Sequence, residues 1–286
     1  MKDFKTKPLL EIPDYPITEA IAQAATTPQE YYGLNFTRFN VRFKPWTWPE
    51  RRLPAIGSRA FVLMLNSFTG KSEFEVWNPQ REVSVKAGSV ISLCGASAGK
   101  QEAIRGDLVY FWTSAANARF RYEERRSNGR FGTGITHEWK DIKLFEKAEV
   151  SEAGDLDAVL DKGVFDELVR RYERRPHFRI PRSFWTIPTD NARLAWLALY
   201  LARRYQLRGF HEGETITTNE IMRTYRRTMP KGPSFEEIQK LVMNDFNALK
   251  ECGVLADWSD TPDTEPHDWQ YKPTIRFRVS DVFPRG

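Results

Sequence analysis

The sequence has few residues of the kinds that build redox, metal or cofactor sites. It contains two cysteines, Cys94 and Cys252, which lie far apart along the chain. That spacing provides neither a disulfide framework nor a CxxC metal site. The four histidines are scattered singly, without the clustering that a zinc site requires. We therefore expect no metal site and no cofactor.

Long hydrophobic runs are also missing. No apolar run reaches the roughly 18 residues that mark a membrane-spanning helix. The first residues, MKDFKTKPLLEIPDYP, lack the apolar core of a signal peptide. These two absences predict a cytoplasmic protein with no membrane partner.

Two sequence segments that could suggest an enzyme do not complete a catalytic motif. GASAGKQ, at 95–101, resembles a phosphate-binding loop, but it has three residues between its glycines and a glutamine after the lysine. That motif needs four residues there, and a Ser or Thr after the lysine to hold magnesium. Asp155, Asp157 and Asp161 could hold a metal ion, although acids near the start of a helix usually interact favourably with the helix dipole instead. We therefore predict no catalytic residues.

Positive charge is in modest excess, with a net charge of +5 and a pI near 9.1. This balance permits binding to a polyanion such as DNA. The basic residues concentrate in 170–182 and again in 223–231, where no acid interrupts them. We predict that the second cluster contacts DNA phosphates through Arg223, Arg226, Arg227 and Lys231. A solvated helix face is the alternative explanation for the first cluster.

Changes in composition divide the chain into four parts. Residues 1–30 are interrupted by prolines and are predicted to be an N-terminal arm. Residues 31–150 are predicted to form a strand-rich α+β domain, with a divergent winged helix as the alternative. The segment 151–180 is acidic and turn-rich, then basic, and is predicted to connect this domain to a second one at 181–286. The predicted fold class is α+β.

Short apolar runs between turn signals underlie the strand prediction for the first domain. They are RAFVLMLNSF, EFEVWN, EVSVKAG, SVISLCG and DLVYFWTS. Runs of this length predict antiparallel strands, and RAFVLMLNSF could equally be a buried helix. ARFRYEERRSNGR then predicts a hairpin that contacts a DNA backbone through Arg119, Arg121, Arg125 and Arg126. A solvated edge hairpin, charged against aggregation, is the alternative.

The final third carries three helical patterns followed by two strands. Leu194, Leu197 and Leu201 recur at helical spacing and predict a core helix. TTNE at 217–220 and SFEE at 234–237 are capping boxes that open two further helices, the last ending at a glycine, residue 253. VLADW and TIRFRV then predict the two strands of a wing. This order is that of a winged helix, whose last helix lies in the major groove of DNA.

The third helix of this pattern has one apolar face and one polar face. Its polar face predicts contacts with DNA bases through Lys240, Met243, Asn244 and Asn247. Arg276 and Arg278 alternate with apolar residues on the last strand and are predicted to contact the DNA backbone. There are two alternatives to DNA contact. Winged helices also serve as protein-interaction modules, and the polar face of a helix is usually only solvated.

The stretch from HFRIPRSFWTIPTDNARLAWL through SFEEIQKLVMNDFNALKECGVLADW resembles the C-terminal winged-helix domain of plasmid replication initiators. The resemblance lies in the proline-bounded lead to a long first helix, the short second helix and the PSFEEI opening of the third. It covers about a third of the chain. It implies a protein whose two winged-helix domains act together on directly repeated origin sites and help to open the adjacent duplex. The implied partners are double-stranded DNA, host replication proteins and, in a homodimer, a second copy of the chain.

Two other functions remain open at this stage. One is a winged-helix transcriptional regulator whose N-terminal domain binds a small ligand or mediates dimerisation. The other is a metal-dependent nucleic-acid-processing enzyme that uses Asp155 and Asp157. A rolling-circle initiator is disfavoured because the sequence contains no HxH run beside a nucleophilic tyrosine.

Overall fold

The computed structural model describes the backbone of 10–12, 18, 21, 33–35, 39–43, 53–69, 79–127, 133–174, 178–207, 214–217, 221, 225, 234–261 and 274–280. Its helices are α1 Gly57–Thr69, α2 Ala87–Cys94, α3 Ala98–Asn117, α4 Lys162–Arg174, α5 Ala192–Leu207 and α6 Phe235–Glu251. Its strands are β1 Leu10–Ile12, β2 Gly33–Asn35, β3 Phe39–Phe43, β4 Glu82–Val85, β5 Arg119–Ser127, β6 Thr133–Lys143, β7 Phe145–Val150, β8 Leu156–Leu160, β9 Phe178–Ile180, β10 Glu214–Thr217, β11 Leu255–Thr261 and β12 Thr274–Val279. The fold class is α+β, as predicted.

The C-terminal part has the element order that the sequence predicts. After α5 and β10 come the buried helical residues Ile221 and Tyr225, then α6, β11 and β12. The sheet is antiparallel in the order β10, β12, β11. Strand β10 was not predicted. Together these elements are a winged helix, called the C-module below (192–279).

The N-terminal part repeats the same order of elements. Helix α1, strand β4, helices α2 and α3 and strands β7 and β8 follow one another, and the antiparallel sheet runs β4, β8, β7. The strand reached last along the chain therefore lies in the middle of both sheets. The main addition is the β5 and β6 hairpin, which lies between α3 and β7 and joins β2 and β3 in a separate sheet. This second winged helix is called the N-module below (57–160).

Several strand predictions for the N-module are wrong. RAFVLMLNSF lies in α1, which agrees with its helical alternative, whereas SVISLC lies in α2 and DLVYFWTS lies in α3. These helices pack much of their surface into the core, so an apolar run in them resembles a buried strand. EVSV and the ARFRYEER hairpin strand are confirmed as β4 and β5. EFEVWN lies outside the described residues.

The segment 151–180 is more than a connection. Its first half contains β8, the central strand of the N-module sheet, in which Leu156, Ala158 and Leu160 are buried at alternate positions. The exposed Asp157 between them, and the acids on either side of the strand at 155 and 161, concealed this alternation in the sequence. In its second half, α4 packs on α1, with Phe165 edge-on to Phe68 at 5.8 Å between ring centroids. The predicted basic helix is therefore present, but it is attached to the N-module.

The N-terminal arm also contributes to the core. Strand β1 pairs antiparallel with β9, and Leu10 and Ile12 are buried. Gln206 on α5 fixes β9 as well, because its amide accepts from the backbone N–H of Arg179 and donates to the Arg179 carbonyl, each at 2.7 Å. These strands therefore lie beside the segment that leads from one module to the next. None of the described helices is long and apolar enough to span a bilayer.

Candidate nucleic-acid interface

Helix α6 begins with the predicted capping box. The Glu237 backbone N–H donates to Ser234 Oγ at 3.2 Å, and the Ser234 N–H donates to Glu237 Oε2 at 2.8 Å. Gly253, with φ of 77°, adopts the left-handed conformation just beyond the helix end. Acids in the first turn and Lys250 in the last turn oppose the helix dipole. The sequence alone therefore determines where this helix starts and stops.

The two faces of α6 lie as predicted. Its fully buried apolar residues are Ile238, Val242, Phe246 and Leu249. On the opposite face Lys240, Asn244 and Asn247 are exposed, and Met243 is half-buried. A shallow depression of about 340 Å³ on this face is lined by Glu236, Gln239, Lys240, Met243 and Asn244. The structure thus brings the four predicted base-contacting residues onto one accessible surface and adds Gln239, which the sequence analysis missed.

A buried polar network holds α6 against the rest of the C-module. Asp245, which is 4% exposed, accepts two bonds from Arg193 on α5, Nε to Oδ2 at 2.5 Å and Nη2 to Oδ1 at 3.0 Å. The Tyr225 hydroxyl donates to Asp245 Oδ2 at 2.6 Å. The hydrogen bond with Asp245 raises the pKa of Arg193, and burial raises the pKa of Tyr225 well above its ordinary value. The network ties the first and second helices to the third, next to Asn244.

Asp245 and its partners were missed at the sequence level. A carboxylate on an apolar helix face is a detectable signal, because such a group is rarely buried without a partner. Arg193 and Tyr225, however, are 52 and 20 residues away in the sequence. Only the tertiary fold brings these partners together.

The wing of the C-module carries both charges. On β12, Ile275, Phe277 and Val279 are buried, whereas Arg276 and Arg278 are exposed, as predicted. Across the sheet, Arg278 lies opposite Asp257.

Asp257 also bonds to the last turn of α6, where Lys250 Nζ donates to its Oδ1 at 2.6 Å. That hydrogen bond, helped by one from the Trp258 backbone, lowers the pKa of Asp257. The Asp257 carboxylate therefore lies near two cations of the C-module, Lys250 and Arg278.

Helix α3 occupies in the N-module the position that α6 occupies in the C-module. Residues at helical spacing on its exposed side are Gly99, Glu102, Ala103, Gly106, Thr113 and Asn117, with half-buried Tyr110 among them and exposed Lys100 and Asp107 beside them. A β-carbon added at Gly99 or Gly106 would meet no other heavy atom of the described structure within 4 Å. The packing of the described residues therefore does not require glycine at these two positions. This surface was not predicted from the sequence, because the apolar run DLVYFWTS in the same helix resembles a strand.

No protein-family model and no curated protein sequence matches the chain. Among solved structures, the crystal structure of the Pi initiator protein in complex with iteron DNA matches with a TM-score of 0.58. The match covers 96% of this chain and 99% of that chain, at 12% sequence identity.

The two chains share one fold. The likeness extends well beyond the C-terminal third that carries the sequence resemblance, and it includes the N-module. At this level of identity it describes architecture, and it assigns no residue a role.

The predicted phosphate-contacting residues are only partly described by the structure. Arg223, Arg226, Arg227 and Lys231 lie outside the described residues. Arg119, Arg121, Arg125 and Arg126 lie on β5, which pairs with β3 on one side and β6 on the other, and only their backbone is described. Their DNA contacts therefore stay predictions. The hairpin itself is present and follows directly after α3.

The three acids considered for a metal site have other partners. Asp155 Oδ1 accepts from the Ala87 backbone N–H at 2.9 Å at the start of α2. Asp157 pairs with Lys86 at 3.2 Å, and this contact and a hydrogen bond from Ser84 lower its pKa. Asp161 Oδ1 accepts from the Gly163 N–H at 2.9 Å at the start of α4. Within the described residues these carboxylates do not converge on one point.

Proposed function

We propose that this protein binds specific double-stranded DNA sequences and initiates plasmid replication at repeated origin sites, without catalysing a reaction itself. The observation that carries the proposal is the presence of two winged helices in one chain, over nearly the full length of the Pi initiator fold. That protein was solved on iteron DNA. Two linked reading modules suit a site composed of repeated elements, because the second module binds at a high effective concentration.

In the C-module, α6 is proposed to lie in the major groove. Asn244 and Asn247 carry amides that can pair with adenine N6 and N7, and Lys240 can donate to guanine O6 or N7. All three are exposed on one face. The network around Asp245 stiffens the helix behind them, which keeps the three groups at fixed relative positions.

In the N-module, α3 is proposed to lie against the DNA in the equivalent way. At Gly99, Ala103 and Gly106 it presents little side-chain bulk, so this part of the helix backbone can approach closely, while Glu102 and Asp107 are exposed beside it. The hairpin that follows it would contribute Arg119, Arg121, Arg125 and Arg126 to the phosphates. Contacts with host replication proteins and homodimer formation are further proposals that follow from the initiator role.

The test is selection of bound DNA from a random pool by the full chain, followed by affinity measurements on the selected sequence. We expect an asymmetric or directly repeated element that both modules protect from cleavage. A variant carrying Lys240→Ala and Asn244→Ala should lose the preference yet keep weak binding to random DNA.

A palindromic site read by the C-module alone would instead indicate the transcriptional regulator. Magnesium-dependent nicking of a supercoiled plasmid carrying the selected site would indicate the enzyme. Failure to enrich any sequence would refute the proposal.

A further inference from the structure

Arg59, near the start of α1, is a fully buried cation. It is 0% exposed, and its guanidinium carbon lies 5.6 Å from the centroid of the Phe184 ring. Its Nη2 donates to the carbonyl oxygens of Ile187 at 2.7 Å and Pro188 at 3.2 Å. Its Nε and Nη1 find no acceptor among the described residues. Removing a cation from water without a bonded carboxylate is costly, so this position calls for a physical reason.

The side chain connects the two modules. Helix α1 is the first helix of the N-module, and the junction segment, defined as 182–190, leads directly into α5 of the C-module. Burial lowers the pKa of Arg59, while Cys94, Asp190 in the junction segment, and Cys252 oppose this shift. The cation thus joins elements that lie 128 residues apart in the chain.

The same junction segment is also bonded to the end of α6. Ser183 Oγ donates to the Gly253 carbonyl at 2.8 Å, and the Thr186 hydroxyl, which donates to the Ser183 carbonyl at 2.7 Å, also lies 3.2 Å from the Cys252 carbonyl. Both acceptors lie immediately after the last turn of α6. Hydrogen bonds therefore run from α1 through Arg59 and the junction segment to the reading helix of the C-module.

A purely packing role does not explain arginine at this point. Replacing buried charged groups by apolar residues of similar volume is often neutral or stabilising. What the guanidinium adds is directional bonding to two consecutive carbonyls, which fixes the orientation of the junction segment as well as its distance. A methionine or leucine would fill the space but leave that orientation free.

We propose that Arg59 is a positioning residue that sets the spacing and rotation of α6 relative to the N-module, and so determines which separation of DNA half-sites the protein accepts. This rests on the proposed function, because it requires both modules to bind one DNA molecule. A change of one base pair moves the second half-site by about 3.4 Å and rotates it by about 35°, given roughly 10 base pairs per turn. A rigid junction should therefore discriminate sharply between spacings.

The experiment measures binding of the full chain to the selected DNA with its natural spacing and with one or two base pairs inserted between the segments that the modules protect. Correct spacing should add roughly 100-fold in affinity through the second module, so the wild-type chain should lose about that factor on the inserted DNA. We call the ratio of the affinities on natural and inserted DNA the spacing penalty. In Arg59→Met this penalty should be about tenfold or less, while the melting temperature stays within a few degrees of wild type. A uniform loss of stability does not change the ratio.

Arg81→Met is the matched control. Arg81 also donates to a backbone carbonyl, that of Leu160, from Nε at 3.2 Å and Nη2 at 2.9 Å, but both groups belong to the N-module. This variant should keep the wild-type spacing penalty. If Arg59→Met does not fold, Arg59→Lys and Phe184→Leu carry the test, and each should reduce the penalty by a smaller factor.

The outcomes separate the inference from the function on which it depends. A wild-type spacing penalty that persists in the Arg59 and Phe184 variants would overturn the positioning role and leave the proposed function standing. A wild-type chain with no spacing preference, or no specific binding, would overturn both. A penalty lowered equally in Arg81→Met would also reject the assignment to Arg59.

Discussion

The two modules share one order of elements but present different surfaces on their third helices. Helix α6 exposes amine and amide groups at Lys240, Asn244 and Asn247, whereas the corresponding side of α3 combines glycines at 99 and 106 with an acid at 102 and a half-buried tyrosine at 110. Base readout needs hydrogen-bonding side chains, and close backbone approach needs their absence. One scaffold can therefore present different chemical groups through its outward positions.

The wings of the two modules also differ, in the contacts that hold them against the third helix. The N-module wing is the short turn after β7, which folds onto α3, where Arg105 Nη1 donates to the Ala153 carbonyl at 3.2 Å. Gly154 adopts φ of 86° there, and an added β-carbon would lie 3.0 Å from the Arg105 carbonyl oxygen. The C-module wing contacts α6 through the Lys250 and Asp257 ion pair instead. We infer that the first wing is fixed by its backbone and the second by charge.

Asp245→Ala should have the largest effect and should be confined to the C-module. It removes the acceptor of both Arg193 and Tyr225, so we expect a loss of roughly 2–4 kcal/mol in unfolding free energy. Urea unfolding followed by tryptophan fluorescence measures it. Asp260→Ala, which removes an exposed acid from the wing, should change stability by less than about 0.5 kcal/mol. Equal effects of the two variants would contradict the structural role of the network.

Asn244→Ala should alter specificity rather than stability. We expect a loss of roughly 1–3 kcal/mol in discrimination at one base position, with binding to random DNA nearly unchanged. Arg226→Ala is the comparison, because a phosphate contact should weaken binding to all sequences alike and flatten the salt dependence by about one unit. Affinities on single-base variants of the selected site at two salt concentrations measure both. Equal losses on specific and random DNA for Asn244→Ala would remove α6 from base readout.

Asp257→Asn should increase non-specific DNA binding. It releases Lys250 and Arg278 from a shared acid, so affinity for random DNA should rise several-fold and the salt dependence should steepen by about one to two units. Asp260→Asn changes the net charge equally. Among the described residues the Asp260 carboxylate forms no ion pair, so this variant should have a smaller effect. If both variants behave alike, only overall charge matters and the ion pair has no special role.

Gly106→Ala should have the smallest effect and should stabilise the N-module. Alanine favours a helix interior over glycine by about 1 kcal/mol, and the new methyl group meets nothing within 4 Å. Gly57→Ala should do the opposite, because its β-carbon would lie 2.3 Å from the Phe111 ring. Thermal unfolding separates the two. If Gly106→Ala raises the melting temperature yet weakens DNA binding, α3 approaches DNA closely; unchanged binding would argue against that approach.

Local chemistry was sufficient to predict most of the C-module. The capping box at Ser234, the helical stripe of leucines in α5 and the alternation on β12 are each read within a few residues. Such patterns depend on backbone geometry and on one buried face, so they can be recognised without knowledge of the rest of the chain. The same holds for the exposed positions of Lys240, Asn244 and Asn247.

The secondary structure of the N-module was harder to predict from the sequence, because its helices pack on more than one side. Helix α1 is buried along almost its whole length, so its hydrophobic residues show no helical period. Strand β8 had the opposite problem, since the acids at 155, 157 and 161 gave this short strand the composition of a linker. In both cases the decisive information is which neighbours cover the segment.

The sequence by itself determined the ends of α6, its two faces and the alternating wing strand, because those features follow from hydrogen bonds and periodicities within one element. Only the tertiary structure decided that the chain contains two winged helices, that Asp245 is satisfied by Arg193 and Tyr225, and that Arg59 lies between the modules. Each of these depends on contacts between residues that are distant in the sequence. Burial of apolar surface stabilises the two winged helices, and hydrogen bonds offset the cost of burying Asp245 and Arg59; a local pattern encodes neither.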